Sequence, residues 1–177
     1  AGTVLVPGPQ RPQFYNDYSN MLKVGSTLFF SGDDGNPGNE LFKTDGTVAG
    51  TVLVKDIRPG ASSSRIREMT NVGGTIFFSA ITDTEGYELW KSDGTSAGTV
   101  LVKDIFTGLN SEGFQNSSDP SGLVNVNGTL YFTANDGTHG VELWKSDGTA
   151  AGTVLVKDIV AGISTSASRT EERRVGK

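Results

Sequence analysis

Apolar and polar positions alternate in short bursts along this chain, and the bursts return in the same order three times. In the middle copy, 69–72 is a brief apolar–polar alternation, Gly73-Gly74 is a turn signal, and 75–80 (TIFFSA) is a β-branched and aromatic run. A loop over 81–87 leads to 88–93 (ELWKSD), 94–98 turns again, and 99–105 (TVLVKDI) follows. Runs of this length, bounded by Gly, Asn, Asp and Ser, predict four strands in an antiparallel meander. The same core aligns without gaps at 21–24, 27–32, 40–45 and 51–57, and again at 123–126, 129–134, 142–147 and 153–159.

The predicted strands carry apolar side chains on both faces. Thr75-Ile76-Phe77-Phe78 and Thr99-Val100-Leu101-Val102 do not alternate as a half-exposed sheet would, and Leu89 and Trp90 must point to opposite sides. Both faces therefore need covering, one by the preceding unit and one by the following unit. Glu40 and Glu88 are 48 residues apart and Glu88 and Glu142 are 54 apart, a period suited to solenoids and propellers. Stacked, twisted four-stranded sheets fan around an axis, so the expectation is an all-β, β-propeller-like array of about three antiparallel blades, an incomplete ring. A parallel β-helix fits less well, because its coils are usually shorter and lack two hairpin turns. The parts are the end of a preceding blade with its linker (1–19), a blade (20–57), a linker plus blade (58–105), a longer linker plus blade (106–159), and the start of a next linker (160–168).

Ala1 to Val6 repeat the tail of the other units, so a fragment of a larger repeat protein is expected. Residues 169–177, ending in the charged string EERRVGK, match no repeat and are expected to be a non-native tail. Composition narrows the function classes. Net charge is −5, and Lys55, Lys103 and Lys157 recur once per unit beside an Asp where a nucleic-acid binder would cluster its cations. Neither a nucleic-acid partner nor a membrane span is expected, since no apolar run approaches the roughly 20 residues a helix needs to cross a bilayer. The absence of cysteine excludes disulfides and thiolate chemistry.

The string ELWKSDGTxAGTVLVKDI, at 88–105 and 142–159 and as ELFKTDGTVAGTVLVKDI at 40–57, resembles the ELWxxDGT repeat family of long bacterial proteins. Phe42 stands for Trp and Thr44 for Ser in the first copy. The resemblance spans residues 1 to about 168. It implies a propeller and a secreted or cell-surface location, and no catalytic residues or cofactor.

Recurrence itself decides most candidate residues. Asp45-Gly46, Asp93-Gly94 and Asp147-Gly148 sit at identical places between the third and fourth predicted strands. They read as structural turns, with Asp accepting backbone N–H bonds and Gly supplying conformational freedom. Phe42, Trp90 and Trp144 share one strand position and read as inter-blade core in preference to sugar-stacking platforms. Asp34, Asn36 and Asp136 lie in oxygen-rich loops of a kind that suits Ca²⁺, but their spacing is not that of a calcium loop and the middle copy has Thr82 instead, which favours Asx turns. His139, the only histidine, reads as a solvent-exposed loop residue. The Lys-Asp pairs read as solvated or edge-protecting charges.

Two function classes remain. One is a non-enzymatic extracellular binding, adhesion or scaffold module, with neighbouring blades or self-association as partners and a surface protein or glycan as ligand. The other is part of a propeller enzyme of glycosidase or lyase type. Catalysis needs unrepeated residues, and the distinctive segment 106–122 offers Glu112 and Asp119.

Overall fold

The computed structural model describes residues 20–33, 38–60 and 62–159, and all regular structure in them is β. β1 (Met21–Val24), β2 (Thr27–Gly32), β3 (Glu40–Thr44) and β4 (Val52–Lys55) form the first sheet in sequence order. β5 (Arg67–Val72), β6 (Thr75–Thr82), β7 (Gly86–Ser92) and β8 (Val100–Lys103) form the second, and β9 (Ser121–Val126), β10 (Thr129–Asn135), β11 (Val141–Ser146) and β12 (Val154–Lys157) the third. Every pairing is antiparallel, so each unit is a meander. The hairpin residues explain the first turn: Asn127 and Gly128 both have positive φ, as a two-residue loop matched to strand twist requires.

The apolar faces then determine stacking. One face of the second sheet sends Ile76, Phe78, Ala80 and Trp90 into a core shared with Phe29, Leu41, Val54 and Ile57 of the first. Its other face sends Phe77, Leu89, Val102 and Ile105 into a core shared with Leu123, Leu130, Phe132, Ala134 and Trp144 of the third. Leu89 and Trp90 thus serve opposite junctions. Contact between sheets is concentrated on the first strands: Cα atoms of β1 and β5, and of β5 and β9, come within 8 Å, with no comparable approach between fourth strands.

Strand bounds differ from expectation in two informative places. The loop expected over 81–87 is narrower, because β6 and β7 pair out to Thr82 and Gly86. The fourth strands are shorter than expected, ending at Lys55, Lys103 and Lys157. In each sheet the register shifts at the Leu-aromatic step of the third strand, as at Leu89 and Trp90. Beyond the shift, the amides of Ile57, Ile105 and Ile159 turn to a glutamate side chain instead of the ladder.

Phe78 is fully buried at the first junction. Phe78→Ala should therefore cost about 3–5 kcal/mol, read as a lower urea midpoint with the slope unchanged. A change below about 1 kcal/mol would mean that this junction contributes little to stability.

Candidate functional site

The repeated polar residues have to be placed before the unrepeated ones can be judged. Glu88 is 0% exposed, inside an apolar strand, and its carboxylate is surrounded by donors. Oε2 accepts the Ile105 N–H at 2.9 Å and the Ser118 hydroxyl at 2.5 Å, and Oε1 accepts the Ser118 N–H at 2.9 Å. Glu40 repeats this with the N–H groups of Ile57 at 2.8 Å and Ser64 at 2.9 Å. In the third unit, Glu142 accepts the Ile159 N–H at 3.1 Å.

Ser64 and Ser118 extend the clasp into the next sheet. The Ser64 carbonyl accepts the Ile81 N–H at 2.8 Å, and the Ser118 carbonyl accepts the Asn135 N–H at 2.9 Å. One glutamate therefore ties its own third strand, the end of its fourth strand and the linker seated on the following sheet. Burial, partly opposed by the hydrogen bonds from Ser118 and Ile105, pushes the Glu88 carboxyl up to about 7, and Glu40 shifts the same way by the same main cause.

The opposite end of each third strand carries the turn. Asp93 Oδ1 accepts the N–H and hydroxyl of Thr95 at 2.8 and 2.7 Å, and the Thr95 hydroxyl accepts the Gly98 N–H at 3.0 Å. Asp45 with Gly46 and Asp147 with Gly148 occupy the same arrangement. The threonine hydrogen bonds hold all three aspartates below the usual carboxylate range. A β-carbon on Gly50, Gly98 or Gly152 would collide with the carboxylate of Asp45, Asp93 or Asp147, so the glycine closing each turn is sterically required.

The turns also reach across the junctions. Lys43 Nζ donates to the Gly94 carbonyl at 2.8 Å and Lys91 Nζ to the Gly148 carbonyl at 2.7 Å. The reading of these lysines as solvated charges is corrected for Lys103, while Lys55 makes only an exposed contact. Lys103 Nζ donates to the Thr153 carbonyl at 2.8 Å over the Trp144 ring, and Lys55 Nζ reaches the Ser96 carbonyl at 3.4 Å, because a long stem on a fourth strand spans to the next sheet. Asp104 and Asp158 each keep one buried oxygen without a hydrogen bond.

Phe42 stacks on Phe30 at 5.9 Å, Trp90 lies between the first and second sheets, and Trp144 between the second and third. Asp34 and Asn36 lie outside the described residues. Asp136 accepts the N–H groups of Thr138 and His139 at 2.9 and 2.8 Å and contacts His139 Nδ1 at 2.7 Å. His139 is therefore a half-exposed partner of Asp136, not a free loop residue, and this hydrogen bond raises its pKa. Among the described residues, no group of three or more His, Cys, Asp or Glu is arranged to hold a metal.

The unrepeated residues gather around the linkers. Arg67 lies over the Tyr87 ring at 4.2 Å and donates to its hydroxyl at 2.8 Å. Asp119, with φ of 46°, has its carboxyl raised by burial, against the pull of Arg67. The six extra residues of the longer linker build a small loop closed by Leu109 and Gln115, in which Asn110 Oδ1 accepts the N–H groups of Glu112 and Phe114 at 2.9 and 3.0 Å. Leu109 and Phe114 stand 60% and 66% exposed upon it. Glu112 sits on this tip and Asp119 beside Tyr87, so the two carboxylates of the distinctive segment belong to separate features.

The buried glutamates escaped the sequence reading, although a carboxylate directly before the Leu-aromatic pair in all three third strands was a usable signal. No family model and no curated protein matches the chain. Among solved structures it is similar to the computationally designed Ika8 protein, with 16% identity over 81% of this chain and a TM-score of 0.42. It is also similar to a "putative exo-beta-1,3-galactanase" from Bifidobacterium bifidum s17, with 17% identity over 80% of this chain and a TM-score of 0.38. The chain spans 37% and 51% of the lengths of those two proteins. Both likenesses are distant, and the functional reading rests on the geometry of the chain itself.

A carboxyl raised in the folded state binds its proton more tightly there than when unfolded, so stability is greatest below the unfolded value and falls as pH rises through the folded one. For Glu88 the window runs from 4.5 to about 7. Across it, stability should fall by up to about 3 kcal/mol, followed by chemical denaturation at successive pH values, and Glu88→Gln should flatten the slope. A flat profile in the parent would contradict this account of the buried carboxyl.

Proposed function

We propose that this chain is a non-enzymatic binding or scaffolding module of an extracellular or cell-surface repeat protein, organised as a β-propeller-like array. The propeller-like arrangement is supported by the approach of successive first strands without a matching approach of the fourth strands, which is how sheets fan about an axis. The binding role is supported by one observation above the rest. Repeated polar side chains such as Glu88, Asp93 and Lys91 are engaged within a sheet or across a junction, while an ordered, unrepeated loop presents Leu109 and Phe114 to solvent.

Loops on a rigid frame are where contact surfaces are most readily built, and repetition of modules multiplies weak contacts. A surface protein or glycan is the partner class this reading favours. No calcium or other cofactor is required by it.

The test pairs binding with turnover. The chain should bind saturably to components of a glycan and surface-protein array, with affinity falling roughly tenfold, about 1.4 kcal/mol, when Leu109 and Phe114 are both changed to Ser in a chain of unchanged circular dichroism. Release of reducing sugar or unsaturated product from a polysaccharide panel, abolished by Asp119→Asn, would overturn the reading in favour of a glycosidase or lyase.

A further inference from the structure

The junction between the second and third sheets carries residues that the junction before it lacks. Arg67, Ser79 and Leu89 are cross-strand neighbours, Tyr87 shares the parity of Leu89, and Leu89 packs toward the third sheet. Arg67 and Tyr87 therefore lie on that face, at the end of the strands where Ser117 of the linker meets the Tyr87 amide. Four positions here break the repeat. Arg67 stands where the third unit has Ser121, Glu68 where it has Gly122, Tyr87 where the other units have Asn39 and Val141, and Asp119 where the preceding linker has Arg65. The first junction closes without such a set, so the frame does not require it.

Tyr87 is the mount for two opposite charges. Its ring lies 4.2 Å from the Arg67 guanidinium, its hydroxyl accepts from Arg67 Nη2 at 2.8 Å, and its carbonyl accepts the Asp119 N–H at 3.3 Å. Asp119 is held there with φ of 46°. The register of β5 on β6 shifts between Arg67 and Thr70, where Glu68 has φ of 59°, and the third unit places Gly122, with φ of 64°, at the same shift. A side chain on left-handed backbone is strained, and both such strain and bulges gather where side chains are aimed at a ligand.

Arg67 and Asp119 are exposed, and the Arg67 charge pulls on the Asp119 carboxyl. Among the described residues they nevertheless form no ion pair, because Tyr87 anchors each separately. A guanidinium only donates and a carboxylate only accepts, whereas a hydroxyl does both and can bridge them. Adjacent hydroxyls on a sugar ring suit the planar fork of the one and the paired oxygens of the other. An anionic ligand fits less well, since Asp119, and Glu68 next in sequence to Arg67, would repel it. Resting on the glycan-binding reading above, we infer that Arg67 and Asp119 form a subsite for adjacent hydroxyls of a neutral glycan, with Tyr87 as the positioning residue.

The experiment is an NMR titration of the nitrogen-labelled full chain, following the Arg67 Nε–H and the Asp119 amide. The probes are neutral oligosaccharides of glucose, galactose and mannose, with oligogalacturonate as the charged control. Both signals should shift saturably with a neutral sugar and stay unmoved by the uronate. Arg67→Gln and Asp119→Asn should each weaken that binding roughly tenfold at an unchanged urea midpoint. Tyr87→Phe, which removes the hydroxyl anchoring Arg67, should weaken it while the Asp119 amide still responds. Binding that both charge variants retain, and that is lost when Leu109 and Phe114 become Ser, would overturn the subsite and leave the binding-module reading standing. No shift with any neutral sugar up to about 20 mM would also sink it. In that case a retained surface-protein ligand preserves the wider reading, and its absence removes both. A response to the uronate alone, abolished by Arg67→Gln and kept in Asp119→Asn, would reveal an anion site and contradict the hydroxyl assignment.

Discussion

A carboxylate taken out of water must find donors, and at Glu40 and Glu88 those donors come from separate stretches of chain. This constraint organises the rest of the molecule. The Ile105 amide reaches Glu88 only if β8 leaves the ladder after Lys103, so the length of the fourth strand follows from the clasp. The Ser118 amide reaches it only if the linker returns across the top of the sheet, which places the Ser118 carbonyl on Asn135 of the next. Removing such a carboxylate would leave the buried N–H of Ile57 or Ile105 unpaired, costing about 1–3 kcal/mol, while the Ser64 and Ser118 amides would keep their bonds to the Asn39 and Tyr87 carbonyls.

The junction is held at three levels. The glutamate–serine clasp acts at one end, the apolar core in the middle, and the lysine on the neighbouring turn carbonyl at the other end. Asp93 and Gly98 serve the last of these indirectly. The aspartate shapes the turn, the missing β-carbon of Gly98 leaves room for it, and the turn then presents the carbonyl that Lys43 finds. The recurring glutamates, turn aspartates and junction lysines such as Glu88, Asp93 and Lys91 are engaged in this frame. The residues free to make contacts are those that differ, such as Leu109 and Phe114.

The division between frame and rim governs how legible the chain was. Strand order and both packing faces follow from local pattern, because a run such as TIFFSA can bury both sides only between two other sheets. The polar frame was less legible. Glu88 looks like the solvent face of a strand, and its partner Ser118 lies 13 residues past Ile105 where Ser64 lies seven past Ile57, so no fixed spacing marks the pair. Lys103 reads as solvated until the position of the next sheet is known. The long-range partners of a side chain depend on how units stack, and periodicity reports on one unit at a time. The candidate rim was visible only as the segment where the repeats diverge, and its fold around Asn110 comes from an Asx-type turn that composition merely permits.

Native-state hydrogen exchange at the amides of Ile57, Ser64, Ile105 and Ser118 tests the central claim most directly, that buried glutamates join each sheet to the next. All four should exchange as slowly as the central strand amides of β6 and β7, opening only with the whole array, and in Glu88→Gln the Ile105 amide should lose protection most, because the Ser118 amide also donates to the Tyr87 carbonyl. Exchange of the Ser64 and Ser118 amides at the rate of an exposed loop, while β6 and β7 remain protected, would contradict it.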